Sequence, residues 1–589
     1  ISGYLREYNL SAIKEWNDFD ISILYGHSIV NKTITGCGFT TYALENNIPT
    51  ILCSPRVALL ENKHEQSENT YLVENEGNDE VLKKDLNKYL LSCWFDQITP
   101  KILVTYDSLK HVIEVINDLS QFSIIVDEFQ NIFMDASFKA DTELNFVSYL
   151  QDCPNVTYLS ATPYIEEYLN ELDEFKDLPY YEFSWSPDKI TSVNIDFRRI
   201  NKTNEEVDRI IQDYLSGNYP EKVDDKGVVH QSKEVVFYFN SVRSIITAIK
   251  RNELTPDQVN VICAKTPLNT SKLKKINISV GKAPKKGKTH KMFTFCTRTA
   301  YVGVDFYSPS ALSVIVSDCN IDSLMTDIRM DFPQIMGRQR LKENVFRDEC
   351  IFIYKLSDSD ITIEEFNRIS EEKIAKTNRD IRRGEMEIQI NGMIGLQDLL
   401  EDIRDRVENH NYEKDYTGVD EKTGKPVFNK LVYIAEKRAF ELRNNIYKSG
   451  VKIYNEFYST SISREESVEK EAILDSLRDI YSKGSFETKM KAVCDILLDP
   501  KWKEKIAISD LHFIPLTYRN LLNLLGPERL KANGYSLSKS NTEIDSNAKL
   551  APGSVAYLKV QVNLSKLPIE DIGNATFTIT VNATPVEAD

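Results

Sequence analysis

Short β-branched runs separated by helical stretches recur twice along the first 358 residues of this 589-residue chain, and that recurrence restricts its fold more than any other feature. From about Ile21 to Ala161 the runs are Thr50-Ile51-Leu52-Cys53, Lys101-Ile102-Leu103-Val104-Thr105, Ser123-Ile124-Ile125-Val126 and Val156-Thr157-Tyr158-Leu159. Apolar runs without alternation suit strands covered on both faces, and helical spacers make such strands parallel. A polar, turn-rich stretch, Ser184-Trp185-Ser186-Pro187-Asp188-Lys189, marks a boundary. The alternation then restarts with Glu234–Phe239, Val259–Cys263, Met292–Phe295, Leu312–Val316 and Cys350–Tyr354. The expectation is an α/β chain with two tandem domains, 1–186 and 187–358.

Beyond these the pattern changes. From 359 to 537 it is helical and highly charged, as in Leu431, Ile434, Ala435, Ala439, Leu442 and Ile446, with Gly450 as the expected stop. In the last part, 538–589, Ala556, Leu558, Val560, Val562 and Leu564 alternate with mostly polar neighbours, as do Phe577, Ile579 and Val581, so a small β unit is expected. The nine cysteines are scattered and never form a C-x-x-C pair, which reads as reduced core residues rather than a zinc site or disulfide frame. No stretch is apolar for long enough to span a bilayer, and no signal-peptide pattern opens the sequence, so a cytoplasmic setting without membrane partners is expected. A net charge of −17 confines any nucleic-acid binding to local basic surface.

Within the first array, Thr35-Gly36-Cys37-Gly38-Phe39-Thr40-Thr41 follows the run Ser28-Ile29-Val30 and precedes a segment able to open a helix. Strand, glycine loop and helix together form a phosphate cradle: glycine backbones approach the anion closely, and a Ser/Thr hydroxyl holds a magnesium ion. Gly36, Gly38 and Thr40 suit these roles. Phe39 stands where a lysine would reach the outer phosphates. A Gly-x-Gly pair alone equally suits a tight turn.

Further along, Ile124-Ile125-Val126-Asp127-Glu128-Phe129-Gln130 sets two carboxylates at the end of a buried strand. There one acid can hold a magnesium shell while its neighbour orients or deprotonates water; a helix N-terminus favouring anions would use the same residues. Ser160-Ala161-Thr162-Pro163 ends the next run. In this order the chain resembles a superfamily 2 helicase of the DExD/H type. The glycine loop matches motif I, Asp127–Gln130 the DExx box and Ser160-Ala161-Thr162 motif III. Thr299-Ala300-Tyr301-Val302-Gly303-Val304-Asp305 resembles motif V, and Gln334-Ile335-Met336-Gly337-Arg338-Gln339-Arg340 resembles motif VI.

The resemblance covers about residues 20 to 358. It implies two RecA-like P-loop domains with ATP and Mg2+ between them. Gly36, Cys37, Gly38, Phe39, Thr40, Thr41, Gly303 and Asp305 would surround the nucleotide, and Thr40 and Asp127 would hold the metal. Asp127, Glu128, Gln334, Arg338 and Arg340 would carry catalysis, with the arginines acting across the domain cleft as arginine fingers do. Ser160, Ala161 and Thr162 would couple the site to movement. Ser54-Pro55-Arg56 resembles motif Ia and Thr105-Tyr106-Asp107-Ser108-Leu109 a later strand-contact motif, so Arg56 and Thr105 are expected on a nucleic-acid backbone.

Between Gln258 and Val304 there is no Asp or Glu while ten Lys/Arg accumulate, Lys274, Lys275, Lys285 and Lys286 among them. This segment suits either a solvated loop or a nucleic-acid contact whose affinity falls steeply with salt. A looser resemblance, to replication helicases of large DNA viruses, phages and mobile elements, implies DNA in replication or recombination, with RNA as the alternative. It also implies replication-protein partners for the C-terminal region and the cytoplasm of a bacterial host or infected cell.

Phe39 offers a phosphate neither charge nor hydrogen bond. Lys32, on the strand side of the loop, is the nearby cation. Two readings follow: an ATP-driven helicase or translocase that works without the usual lysine, or a helicase-derived binding or scaffold protein without turnover.

Overall fold

Neighbouring residues within the strands of the first array face different cores, as full burial of a sheet requires. Ile51, Cys53, Ile102, Val104, Ile124 and Val126 enter one apolar cluster, while Leu52, Leu103 and Ile125 enter another on the opposite face. The computed structural model describes residues 5–9, 26–73, 79–136, 139–162, 166–169, 171–176, 178–185, 192–224, 226–409, 415–458, 465–483, 485–503, 505–511, 513–514, 519, 522, 526–528, 530–532, 544–548 and 560–562. The chain divides into two units, Ile1–Arg464 and Glu465–Asp589.

The first sheet is built from β1 (Leu5–Asn9), β2 (Ser28–Asn31), β3 (Thr50–Ser54), β4 (Thr70–Leu72), β5 (Lys101–Thr105), β6 (Ser123–Asp127), β7 (Val156–Ser160) and β8 (Tyr180–Ser184). Its order is β1-β8-β2-β7-β6-β3-β5-β4, with every pair parallel. All strands therefore end on one edge. From β2 the chain crosses to β3 on one side, whereas from β7 it crosses to β8 on the other, so the loops after β2, β6 and β7 meet at a switch point where α/β sheets bind ligands.

The second domain contains β9 (Asn194–Arg199), a small antiparallel hairpin of β10 (Glu221–Val223) and β11 (Val229–Gln231), β12 (Glu234–Tyr238), β13 (Val259–Ile262), β14 (Phe293–Cys296), β15 (Ala311–Asp318) and β16 (Glu349–Lys355). Six of these form a second all-parallel sheet, ordered β13-β14-β12-β15-β16-β9. Two successive parallel α/β sheets are the tandem RecA-like architecture expected from the sequence. No described helix is long and apolar enough to cross a membrane.

The helical extension divides between the two units, and its part up to Arg464 packs within the first. Its helix Ile363–Asn409 breaks at Gly392, which adopts φ 65° and ψ −158°, a conformation open to glycine and costly for other residues. The antiparallel hairpin of β17 (Thr417–Asp420) and β18 (Lys425–Phe428) lies against the helix Ala140–Leu150, where Asn145 donates to the Val419 carbonyl (3.1 Å) and accepts from the Glu421 amide (2.7 Å). The helix Lys430–Asn444 buries Leu431 and Ile434 in the first domain's core and sets Arg438 on Asp327 of the second. It ends at Asn444 rather than running to Gly450, and Gly450 begins the next helix instead. The break lets Tyr447 turn inward, where its hydroxyl accepts from Ser317 and donates to the Thr326 carbonyl, both at 2.8 Å. Phe457 of that next helix packs edge-on to Phe197, Phe332 and Phe352, covering the second sheet with aromatic contacts.

In the second unit, the helices Glu465–Lys483 and Phe486–Leu498 share a core of Leu474, Leu477, Met490, Val493, Trp502 and Ile506. Ile544–Ala548 pairs antiparallel with Val560–Val562. The remaining alternating positions noted above, Ala556, Leu558, Leu564, Phe577, Ile579 and Val581, lie outside the described residues.

Candidate nucleotide site between the parallel-sheet domains

The glycine loop follows β2 directly, and Gly38, at φ 91°, starts the helix Phe39–Glu45. A cavity of about 300 Å³ opens beside it, lined by Lys32, Gly36, Gly38, Thr40, Asp127 and Glu128 from the first domain and by Gly303, Asp305, Arg338 and Arg340 from the second. Cys37, Phe39 and Thr41 line it as well. All nine residues expected around nucleotide and metal thus line one cavity where the two sheets face each other, together with Glu128, Arg338 and Arg340.

Asp127 ends β6, and its two oxygens are divided between partners. Oδ1 accepts from Lys32 Nζ at 3.0 Å, and Oδ2 accepts from Thr40 Oγ1 at 3.1 Å. Burial alone would raise the Asp127 pKa; the Lys32 ammonium outweighs it and holds the carboxyl below its ordinary value. Burial likewise opposes the charge on Lys32, but Asp127 and Glu128 keep its ammonium above the usual lysine range. Glu128, 3.7 Å from that amine through Oε1, sits at φ 55°, a left-handed backbone uncommon outside glycine. The Tyr106 hydroxyl pins this turn by donating to the Asp127 carbonyl at 2.9 Å.

The other oxygen of Glu128 joins the domains. Gln334 Nε2 donates to Oε2 at 2.7 Å, and Gln130 Nε2 donates to the same oxygen at 2.8 Å. Gln130 Oε1 accepts from Ser160 Oγ at 2.6 Å, and Gln334 Oε1 accepts from Arg338 Nη2 at 2.7 Å. One hydrogen-bonded chain therefore runs Ser160, Gln130, Glu128, Gln334, Arg338. The Ser160 hydroxyl also accepts from the Thr162 amide at 2.9 Å, while Ala161 is buried beside it. Arg340 Nε lies 2.9 Å from Asp305 Oδ1, and its Nη1 passes 2.7 Å from where a Cβ on Gly36 would stand. Only glycine admits the arginine so close to the loop.

Gly303 meets a similar constraint. It holds φ 91°, and a Cβ there would lie 2.7 Å from Leu59 Cβ and 3.2 Å from Leu59 Cα across the cleft. Gly303→Ala is expected to cost about 1–3 kcal/mol, combining backbone strain with a clash against main chain. Gly217→Ala is the control: φ is 78° with nothing within 4 Å, so it carries strain alone. Urea unfolding of both variants measures the difference, and equal losses would remove the cleft contact as a cause.

The donor set suits a magnesium nucleotide. An ammonium already sits as a stand-in cation on Asp127 beside Thr40, and one carboxylate with one hydroxyl is the sparse protein set that Mg2+ completes with water and phosphate oxygens. Among the described residues, no group of three or more His, Cys, Asp or Glu forms a metal cage.

Residues expected on nucleic acid are not gathered in this way. Arg56 is tied to buried Asp135 by Nη1–Oδ2 at 2.6 Å and Nη2–Oδ1 at 3.0 Å, and Thr105 is buried with Oγ1 3.3 Å from Ser108 Oγ. Lys274, Lys275, Lys285 and Lys286 are exposed, although Lys285 reaches Glu65 on the helix Val57–Gln66 at 3.0 Å. Sequence reading missed Lys63, Asn62 and Gln66 of that helix, which line the cavity. It also gave no role to Gln130. The spacing of Asn62, Lys63 and Gln66 on one helical face was the available signal.

No protein-family profile matches the sequence, and no curated protein matches it. Among solved structures, S. cerevisiae Dbp5 bound to RNA and ADP BeF3 aligns at 11% identity and TM-score 0.33, over 59% of this chain and 82% of its own. S. cerevisiae Dbp5 bound to Gle1 and IP6 aligns at 12% identity and TM-score 0.31, over 59% and 81%. Likeness at this level says nothing of chemistry, which rests on the side chains described above.

Proposed function

We propose that the chain is an ATP-dependent nucleic-acid helicase or translocase, acting on DNA in replication or recombination. The observation carrying this reading is the 2.7 Å bond from Gln334 to Glu128, which ties the catalytic carboxylate of one domain to the helix Asp331–Met336 of the other, just ahead of Arg338 and Arg340. A site that hydrolyses a phosphoanhydride needs a base, an anion cradle and mobile positive charge from a second body. Glu128 is the base: its Oε2 is fixed by two amides, leaving Oε1 to orient water. Gly36, Cys37 and Gly38 amides cradle phosphate. Arg340 lies over that loop, and Arg338 is aligned through Gln334.

Asp127 and Thr40 would hold Mg2+, which when bound supplies positive charge to the phosphates. Ser160, Gln130 and Gln334 transmit strain between Glu128 and both domains. Nucleic acid would lie along surfaces that include the exposed lysines of 274–286, consistent with an otherwise acidic protein.

The buried Phe39 favours one other reading, a helicase-derived scaffold without turnover. The test is Mg2+-dependent ATP hydrolysis by the full chain, alone and with single-stranded DNA or RNA, alongside nucleic-acid binding at rising salt. Stimulated hydrolysis is expected. Binding without hydrolysis under every condition would favour the scaffold, and greater stimulation by RNA would overturn the DNA assignment.

A further inference from the structure

Phe39 is not merely uncharged; although the residue lines the cavity, its ring lies in the apolar core. It is 1% exposed and belongs to the apolar cluster of Val30, Leu52, Leu60, Ile125 and Phe183, with its ring centroid 6.1 Å from that of Phe183. A charge at this position would be buried in the core, so the loop's own helix offers no cation to an outer phosphate.

We propose that Lys32 supplies that cation from the strand side of the loop. The proposal rests on the nucleotide reading of the cavity and adds the residue that contacts the outer phosphates. Lys32 directly follows β2, on the strand side of the loop, whereas Phe39 begins the helix after it. Its ammonium and the Thr40 hydroxyl flank the two oxygens of one carboxylate, side by side in the same cavity as Gly36 and Gly38.

The base of this side chain is fixed. Lys32 N donates to the Ser160 carbonyl at 2.7 Å, and its own carbonyl accepts from Trp185 Nε1 and Thr33 Oγ1, both at 2.8 Å. Thr33 itself turns through φ 57° with its amide on Asn31 Oδ1 at 2.8 Å. Four methylenes beyond that anchor leave the ammonium free to swing from Asp127 toward an incoming anion.

Other cations are less suited. Arg340 bonds Asp305, and Arg338 bonds the Tyr301 and Gln334 carbonyls as well as Gln334 Oε1. Lys63 is the remaining competitor. Its amine lies 3.5 Å from Thr41 Oγ1, whereas the Lys32 ammonium shares the Asp127 carboxylate with Thr40.

Without nucleotide, Lys32 neutralises Asp127. A divalent cation on that carboxylate would displace the ammonium, leaving it between Glu128 Oε1, 3.7 Å away, and a phosphate held by the loop. The resting ion pair therefore stores the charge the loop lacks, next to where it is needed.

Two measurements test this on the full chain. The first is equilibrium binding of ATP and AMP to wild type, Lys32→Met and Lys63→Ala. Loss of one charged contact to an outer phosphate is expected to weaken ATP by roughly tenfold to a hundredfold, with AMP nearly unchanged. Lys63→Ala should have the smaller effect. The second avoids any folding defect: an acyl-phosphate derivative of ATP transfers its acyl group to a lysine amine at the outer phosphate, releasing ATP and a proton. Peptide mapping of wild type should find the amide at Lys32, suppressed by excess ATP.

Acylation at Lys63 but not Lys32, or equal loss of ATP and AMP binding in Lys32→Met, overturns the proposal while leaving the nucleotide reading intact. A wild type that binds neither ATP nor its derivative overturns both.

Discussion

Glu128→Gln is expected to lower ATP turnover by about 10²–10⁴-fold while leaving ATP binding close to that of the wild type. The substitution keeps size and one acceptor oxygen, so Gln130 and Gln334 retain a partner, and the left-handed turn stays pinned by Tyr106. What it removes is the carboxylate proposed as the base. Single-turnover hydrolysis measured beside equilibrium ATP binding separates the two effects. Turnover unchanged by Glu128→Gln would remove Glu128 from catalysis. A parallel collapse of binding would mean that the carboxylate organises the cavity rather than the water.

Arg438→Ala is expected to destabilise the first unit by about 3–5 kcal/mol, because it strands the buried Asp327 carboxylate and leaves Glu456 to Arg329 alone. Arg438 Nε lies 2.7 Å from Asp327 Oδ2, while Nη2 lies 3.0 Å from Asp327 Oδ1 and 3.2 Å from Glu456 Oε1. All three side chains are at most 7% exposed. The effect reaches beyond one ion pair, since this helix also anchors the first domain through Lys437 Nζ–Glu171 Oε1 at 2.8 Å and the buried Leu431 and Ile434. Removing Arg438 therefore loosens the strap across both sheet domains.

The pH dependence has a definite sign. Burial would raise the Asp327 carboxyl, but Arg438 and neighbouring amides hold it below its ordinary 3.8. A depressed native pKa contributes stability that is fully present above 3.8 and lost as pH falls through the native value. The gap between wild type and Arg438→Ala should thus be widest near neutrality and narrow in acid. Urea midpoints at pH 7 and toward pH 3 measure it, and a constant gap would remove the ion pair as its cause.

Several features were legible because they are local. The runs at 50–53, 101–105, 123–126 and 156–159 all lie in strands of the first sheet, since unbroken β-branched runs have few other stable uses. Strands β1, β4, β8 and β9 escaped notice. β8 carries Tyr180-Tyr181-Glu182-Phe183, whose aromatic content is a strand signal, but the polar, turn-rich stretch that begins at its last residue, Ser184, masks it. Arg56 looked suited to phosphate contact because sequence reveals a charge, not its partner. Asp135, 79 positions away, is that partner.

By itself the sequence determined the two parallel-sheet arrays, the glycine loop, the paired carboxylates and the two arginines that follow Gln334, because each depends on residues close along the chain. Only the tertiary structure decided what faces what. It turned Phe39 into an apolar core and laid Lys32 on Asp127, 95 positions away. It also joined Glu128 to Gln334 across 206 positions. The physical reason is that composition dictates which groups must be buried, whereas the order of strands in the sheets decides which buried charges meet.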